Sequence, residues 1–200
     1  MADTKERILL TALRLFARKG YEAVSVSDIA GELGITKGAL YRHYANKRDI
    51  FTSILARMEQ TDAAQAQAHG LPEDTPAEDA DAYQGADIDA VIDFSQSMFR
   101  YWTENEFAAS FRKMLTLEQS RDPEMQRLYQ QYLVSGPAQY TADLFAGMGI
   151  PEPQREAALL YGPMFLLYGV YDGAADKQAV SARLDDILEN ARAHLKGVQK

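Results

Sequence analysis

Residues 36–47 bring together side chains that could bind a phosphate backbone and read the edges of bases. Ammonium, guanidinium, imidazole and hydroxyl groups all occur within this short stretch. Positive groups neutralise phosphates, hydroxyls donate hydrogen bonds to phosphate oxygens, and a guanidinium can pair with guanine. The residues are Thr36, Lys37, Gly38, Tyr41, Arg42, His43 and Lys47, with Gly38 allowing a close approach of the backbone. This pattern indicates nucleic-acid recognition.

Two short helices joined by a tight turn are needed to position these groups. Ser25 and Asp28 form a capping-box pattern that begins the first helix, and apolar residues follow. Gly34 can adopt the left-handed backbone that ends it, and Thr36 caps a second helix predicted over residues 37–44. The spacing predicts a helix-turn-helix whose second helix fits a major groove about 12 Å wide.

Residues 4–60 resemble the DNA-binding domain of the TetR (tetracycline-repressor-like) family of one-component regulators. Four stretches carry the resemblance: Ala-x-x-Leu-Phe-Ala-x-x-Gly-Tyr at 12–21, Ser-Val-Ser-Asp-Ile-Ala at 25–30, Gly-Ile-Thr-Lys-Gly-Ala-Leu-Tyr-Arg-His-Tyr at 34–44 and Asn-Lys-Arg-Asp-Ile-Phe at 46–51. Their combination is far more specific than a helix-turn-helix alone. After residue 60 the chain matches the family only in the number and order of its helices.

The resemblance implies a DNA-binding transcriptional regulator, a repressor that leaves a palindromic operator when a small-molecule effector binds. It implies an Ω-shaped homodimer that pairs through the last two helices, with an effector pocket in the C-terminal body. The implied DNA contacts are Ser25, Ser27, Thr36, Lys37, Gly38, Tyr41, His43 and Lys47. Arg42 lies between the fixed points of the motif and would help to set the operator sequence.

An uneven distribution of charge reconciles DNA binding with an acidic chain. The formal net charge is −8. Residues 1–60 hold ten Lys and Arg against seven Asp and Glu, a net of +3, whereas residues 61–200 hold eleven against twenty-two, a net of −11. Because the local field governs docking to phosphates, the acidic remainder favours an approach through the first sixty residues.

The periodicity of apolar residues, at three and four, predicts an all-α fold of about nine helices. We expect an N-terminal three-helix helix-turn-helix domain over residues 1–46 and a C-terminal helical ligand-binding and dimerisation domain over residues 47–200. The acidic, proline-containing stretch 61–86 is predicted to be a mobile loop, although the Ala/Gln run at 63–68 could extend the fourth helix. Later helices are predicted at about 87–103, 105–119, 123–145 with a break or kink at Gly136-Pro137, 152–171 and 176–196.

The C-terminal part is rich in Met and aromatic residues, which suit an adaptable pocket for a small apolar or aromatic effector. The candidates are Phe94, Met98, Tyr101, Trp102, Phe111, Met114, Tyr132, Tyr140, Met164 and Tyr168. The alternative is that they form an ordinary helical core.

The helix at 152–171 is apolar nearly all round, which predicts burial on two sides. We expect a four-helix dimer interface that includes Phe165, Leu184, Ile187, Leu188 and Ala191. A central helix in a monomer is the alternative.

Catalytic and metal chemistry have little support in the sequence. Cysteine is absent, the histidines (His43, His69 and His194) are far apart, and no glycine-rich phosphate loop or H-E-x-x-H pattern occurs. We expect no enzyme activity, cofactor, metal or membrane partner, and a cytoplasmic location. A second hypothesis is a DNA-bound regulator with a protein partner and no small-molecule effector, in which the acidic segment 61–93 is the adaptor.

Overall fold

The computed structural model describes residues 4–72 and 87–199, and within these ranges the fold is all-α. Its helices are α1 (Thr4–Lys19), α2 (Val26–Glu32), α3 (Lys37–Tyr41), α4 (Lys47–Ala68), α5 (Ile88–Glu104), α6 (Glu106–Glu118), α7 (Pro123–Leu133), α8 (Ser135–Gly147), α9 (Pro153–Gly173) and α10 (Lys177–Val198). The predicted fold class is confirmed. None of these helices is long and apolar enough to span a bilayer.

Side-chain caps begin several helices at positions visible in the sequence. The Ser25 hydroxyl accepts a hydrogen bond from the Asp28 amide, and the Asp28 carboxylate accepts one from the Ser25 amide. Thr36 caps α3 in the same way, while Asp87 and Asp176 cap α5 and α10. These caps satisfy backbone amides that the first turn of a helix leaves without a partner.

Two predicted helix ends need correction. Helix α3 ends at Tyr41, not near Tyr44, because the chain tightens there into a turn in which the His43 amide donates to Leu40. Helix α4 continues to Ala68, so the first part of the predicted loop 61–86 is helical. Alanine and glutamine, which dominate residues 63–68, are good helix formers. Residues 73–86 of that predicted loop lie outside the described residues.

The long helix predicted over residues 123–145 is divided into α7 and α8, which brings the number of helices described to ten. Pro137 has no amide hydrogen to donate to Leu133, four residues earlier, and its ring would crowd that carbonyl. At the junction Val134 leaves helical geometry, with φ −128° and ψ −88°. The Leu133 carbonyl instead accepts a hydrogen bond from the Tyr161 hydroxyl at 2.8 Å.

One compact unit, called unit 1, comprises residues up to 61 together with residues 106–129. Helix α1 packs along α6, and Arg14 of α1 pairs with Glu106. The ring of Tyr21 contacts that of Phe51 in α4, at 5.1 Å between centroids. The sequence placed a boundary after residue 46, whereas the compact units divide the chain after Thr61 because the first turns of α4 pack with the helix-turn-helix.

The second compact unit, called unit 2, comprises residues 62–105 and 130–200. Helix α9 packs against α5, α8 and α10. The rings of Phe99 and Tyr168 are stacked with centroids 5.3 Å apart, which joins α5 to α9. The gap between the last two helices lies slightly later than predicted, since α9 runs to Gly173 and α10 begins at Lys177.

Candidate nucleic-acid interface and ligand cavity

The turn between α2 and α3 has the geometry of a helix-turn-helix. Gly34 has φ +66°, a left-handed conformation that strongly favours glycine. The Ile35 amide donates to the Ala30 carbonyl at 3.0 Å, which ties the turn back to α2. Ile29 and Leu40 are fully buried, so one face of each short helix is fixed in the core of unit 1. The opposite face of α3 is therefore held in a defined orientation.

Most of the predicted DNA-contacting residues lie on that opposite face or beside it. Tyr41 is 49% exposed, which is unusual for a large aromatic side chain in a folded unit. His43 and Lys47 are half-buried. The other predicted contacts are exposed: Ser25, Ser27, Thr36, Lys37, Gly38 and Arg42. Charged, hydroxyl and amide donors thus share one surface, which could receive a phosphate backbone.

Ser25 and Thr36 both cap helices, but they keep different hydrogen-bonding capacity. The Ser25 hydroxyl donates to the Asp28 carboxylate at 2.6 Å, and these hydrogen bonds lower the pKa of Asp28 below its ordinary value. Asp28 is therefore ionised at neutral pH and engages both the hydroxyl and the amide of Ser25. The Thr36 oxygen accepts from the Ala39 amide at 3.1 Å, which leaves its hydroxyl proton available for an incoming phosphate.

Lys47 holds the start of α4 to the segment between α1 and α2. Its Nζ donates to the Tyr21 carbonyl at 2.9 Å and to the Glu22 carbonyl at 3.5 Å. The same ammonium lies 4.3 Å from the centroid of the Tyr21 ring, a cation–π contact. The Glu22 carboxylate also lies 3.9 Å from this ammonium, so a phosphate would compete with it for the third hydrogen. The sequence did not indicate this second, structural role of Lys47.

Unit 2 contains a cavity of about 270 Å³ with aromatic and thioether walls. Seven of the predicted pocket residues line it: Phe94, Met98, Trp102, Tyr132, Tyr140, Met164 and Tyr168. Further lining residues that sequence reasoning missed include Asp62, Ser95, Thr141 and Tyr161, together with Gly136 and Pro137 at the α7–α8 junction. The missed residues include most of the polar groups, for which the apolar pattern gave no signal.

Three predicted pocket residues do not line this cavity. Phe111 and Met114 belong to α6 in unit 1, where both are fully buried in the core. Tyr101 is half-buried, and its ring contacts that of Trp102 at 5.9 Å. In the sequence these three residues have the same helical spacing as the residues that line the cavity. Spacing alone does not show which neighbouring helix each face packs against.

The outer face of α9 carries an exposed apolar stripe. Leu159, Phe165, Leu166 and Val170 are 57%, 39%, 69% and 43% exposed within the chain. Gly162 and Gly169 lie along the same helix with open space around them. The inner face of α9 is buried, so this helix has apolar residues on two sides. Exposed apolar patches of this kind mark interaction surfaces.

The predicted interface residues of α10 are only partly compatible with a surface position. Leu184 and Leu188 are 1% and 2% exposed, so they pack in the core of their own chain, which does not support their predicted place in an interface. Apolar residues occupy both the buried and the partly exposed side of α10, and their spacing in the sequence did not show which side faced the core. Ile187 and Ala191 are partly exposed, and Phe165 is exposed. Among residues 4–72 and 87–199, no cluster of His, Asp and Glu is arranged to hold a metal ion.

Comparison with protein families matches residues 8–54 to the family described as bacterial regulatory proteins, tetR family. The HTH-type transcriptional regulator YerO of Bacillus subtilis is 47% identical over 53 residues, which cover 26% of this chain and 18% of YerO. The HTH-type transcriptional repressor BepR of Brucella suis is 43% identical over 56 residues, covering 28% of this chain and 27% of BepR. The match thus spans about a fifth to a quarter of these curated relatives.

Solved structures resemble the chain over nearly its whole length. A transcriptional regulator from Rhodococcus has a TM-score of 0.65 at 17% identity, covering 99% of both chains. SmeT in complex with triclosan has a TM-score of 0.66 at 15% identity, covering 96% of this chain and 90% of SmeT. SmeT is the repressor of a multidrug efflux pump of Stenotrophomonas maltophilia. At these identities the likeness is one of fold.

Proposed function

We propose that the whole chain, whose residues 8–54 match the tetR family of bacterial regulatory proteins, is a transcriptional repressor that a small molecule releases from a palindromic operator. The observation that carries this proposal is the exposed, donor-rich face of α3 on a buried helix-turn-helix scaffold. BepR and SmeT are both named repressors, which favours repression over activation. Operator DNA places such a protein in the bacterial cytoplasm.

In this proposal α3 enters the major groove, and the flanking residues bind phosphates. Lys37 and Arg42 supply positive charge, Thr36 and Tyr41 supply hydroxyl donors, and Gly38 leaves room for the DNA backbone. Phosphate contacts fix the register of the protein on the duplex, and base-edge contacts from α3 give sequence preference. Ser25 acts mainly through the amino-terminal cap of α2, because Asp28 already engages its hydroxyl and amide.

A homodimer would place two such helices on one duplex. The exposed stripe of α9 supports pairing with a second copy, since Leu159, Leu166 and Val170 would leave water and the glycines permit close helix approach. A twofold axis makes the same patch serve both copies. The two α3 helices then have to stand about 34–36 Å apart, one turn of DNA, to read both half-sites.

The cavity of unit 2 is the proposed effector site. The SmeT complex supports this assignment, because a protein of the same fold holds the aromatic compound triclosan. Helix α4 begins at Lys47 beside the helix-turn-helix, and its later residues Asp62 and Ala66 line the cavity. A ligand that favours one position of α4 would thereby shift the spacing of the two α3 helices and weaken operator binding.

The test is a gel shift with the DNA upstream of the chain's own gene, using Tyr41→Phe as the diagnostic variant. This change removes one exposed hydroxyl and keeps the ring, so we expect operator affinity to fall roughly three- to tenfold with the melting temperature unchanged. Tyr129→Phe, a partly exposed tyrosine of α7 outside the motif, is the matched control and should bind normally. Normal binding by Tyr41→Phe, or no specific binding by the wild type, would contradict the proposal.

A further inference from the structure

We infer that the cavity of unit 2 selects an organic cation with an aromatic or apolar body, such as a tertiary amine in its protonated form or a quaternary ammonium. This inference deepens the proposed function, on which it rests only in treating the cavity as the effector site. Two properties of the wall lead to it: the wall is rich in aromatic rings and thioethers, and the hydroxyl hydrogens of four wall residues already form hydrogen bonds.

Six aromatic rings and two thioethers surround the cavity. The rings belong to Phe94, Trp102, Tyr132, Tyr140, Tyr161 and Tyr168, and the sulfurs to Met98 and Met164. The face of an aromatic ring carries negative potential, so it attracts a cation, and tryptophan and tyrosine are the strongest binders. Methionine sulfur is polarisable and accepts rather than donates hydrogen bonds. Such walls bind quaternary ammonium groups without needing to form a hydrogen bond.

Four hydroxyls of the wall donate to backbone carbonyls. Tyr140 donates to Pro72, Tyr161 to Leu133, Thr141 to Pro137 and Ser95 to Val91, each at 2.8 Å. Since a hydroxyl has a single proton, these oxygens can act toward a ligand only as acceptors. The break between α7 and α8 contributes to this arrangement. Because Pro137 has no amide hydrogen to donate to the Leu133 carbonyl, that carbonyl accepts a hydrogen bond from the Tyr161 hydroxyl instead.

The charge of the cavity wall is negative among the lining residues that the structure describes. Asp62 is acidic, and no Lys, Arg or His occurs among the lining residues that the structure describes. His69 contacts the ring of Phe94 at 5.7 Å between centroids but does not itself line the cavity. A carboxylate or phosphate ligand would lose its hydration and find no cation to replace it, which is costly. A ligand cation would instead meet a wall that contains the Asp62 carboxylate and six aromatic rings.

The experiment compares benzyltrimethylammonium with neopentylbenzene, its neutral isostere in which carbon replaces nitrogen, and with the anion 4-tert-butylbenzoate. Trp102 is the only tryptophan of the chain and lines the cavity, so its fluorescence reports binding directly. We expect the cation to quench Trp102 saturably and to bind roughly tenfold more tightly than the isostere, with the anion weakest. Equal binding of the isostere, tighter binding of the anion, or no saturable response to the cation would overturn the inference.

Asp62→Asn provides the matched variant, and Glu59→Gln on the exposed surface of α4 is its control. The first should weaken binding of the cation about tenfold and leave the isostere unchanged, whereas the second should change neither. A gel shift in the presence of the cation separates the two proposals. Tight binding of the cation without release of operator DNA would support the proposed ligand class and contradict effector-controlled repression. Release of operator DNA by the neutral isostere alone would support effector-controlled repression and contradict the proposed ligand class.

Discussion

Lys37 and Lys47 carry the same charge but have different surroundings. Lys37 is exposed on α3, while the side chain of Lys47 is only 22% exposed and donates to two backbone carbonyls. A lysine that binds phosphate acts on DNA affinity, and a lysine that joins two segments also acts on folding. The two residues therefore offer a comparison in which stability and DNA affinity can be separated.

We predict that Lys37→Gln and Lys47→Gln each flatten the dependence of log affinity on log salt concentration by about 2 on the full operator, because each of the two protomers loses one phosphate contact. Only Lys47→Gln should also lower the free energy of unfolding, by about 1–2 kcal/mol, because it removes a cation–π contact and two hydrogen bonds. Salt titrations by fluorescence anisotropy and urea unfolding measure the two effects. A stable Lys47→Gln protein would contradict the structural role, and an unchanged slope for Lys37→Gln would remove that residue from the interface.

Local signals made much of the helix-turn-helix geometry predictable. A capping residue, a glycine with φ above zero and the alternation of buried and exposed positions all act within a few residues of the chain, as at Ser25, Gly34 and Leu40. The contact of Lys47 with Tyr21 joins residues 26 positions apart, and nothing in their spacing indicated it. The same holds for the cavity. The sequence indicated most of its aromatic residues, whereas Asp62 and Tyr161 line it because of how the helices pack.

At the scale of elements, the α7–α8 junction depends on a glycine as well as on Pro137. A Cβ at Gly136 would overlap the backbone carbonyl of Gln131, which cannot rotate away as a side chain could. We predict that Gly136→Ala lowers the free energy of unfolding by about 2 kcal/mol and alters ligand binding, since Gly136 lines the cavity.

The control for this change is Gly31→Ala, on the exposed side of α2, where a Cβ meets nothing within 4 Å. Alanine is the better helix former, so that variant should gain up to about 1 kcal/mol of stability. Urea unfolding compares the two proteins. If Gly136→Ala proved as stable as the wild type, the junction would be less constrained than its close packing indicates.

Charged side chains join α5 to α10, and this contact makes the stability of unit 2 depend on pH. Arg192 donates to Asp89 at 2.5 Å and to Asp93 at 2.8 Å, and Lys196 also pairs with Asp89. Hydrogen bonds from Lys196 and Arg192 hold the pKa of Asp89 below its ordinary value. Since the pKa is lower in the folded state than in the unfolded state, this contribution is present above about pH 4 and lost as the pH falls through the folded value.

We therefore predict that Asp89→Asn is less stable than the wild type at pH 7, and that the difference shrinks as the pH falls from about 4 through the lower folded-state pKa of Asp89. Glu104→Gln, an exposed change near the other end of α5, should show no such convergence. Thermal unfolding of the three proteins from pH 7 to pH 2.5 supplies the measurement. A stability difference that persisted at low pH would mean that Asp89 acts through packing and not through its charge.

At the scale of the whole molecule, the distribution of charge and the apolar face of α9 both bear on assembly. The first sixty residues carry a net charge of +3 and the remainder a net charge of −11. If the first sixty residues bind DNA as proposed, the acidity of the remainder disfavours nonspecific contact of the other surfaces with DNA. Affinity for an operator then has to come from few phosphate contacts, and pairing two copies on one duplex compensates by coupling two half-sites.

Leu166 tests this pairing because it is 69% exposed in the single chain and lies centrally in the apolar stripe of α9. We predict that Leu166→Glu sediments as a monomer with unchanged helical content, because a charge in a desolvated interface is costly whereas the same charge in water is not. Operator affinity should fall at least tenfold, since each half-site is then bound alone.

Gln178→Glu adds the same charge at an exposed position of α10 and serves as the control. It should remain dimeric and bind DNA normally, which separates the loss of the interface from a general effect of negative charge on DNA binding. Sedimentation equilibrium and anisotropy on a palindromic duplex and on its isolated half-site distinguish the cases. The half-site should bind Leu166→Glu and the wild-type chain with similar affinity, because the change leaves α3 untouched. A dimeric Leu166→Glu protein would show that the α9 stripe is not where two copies meet.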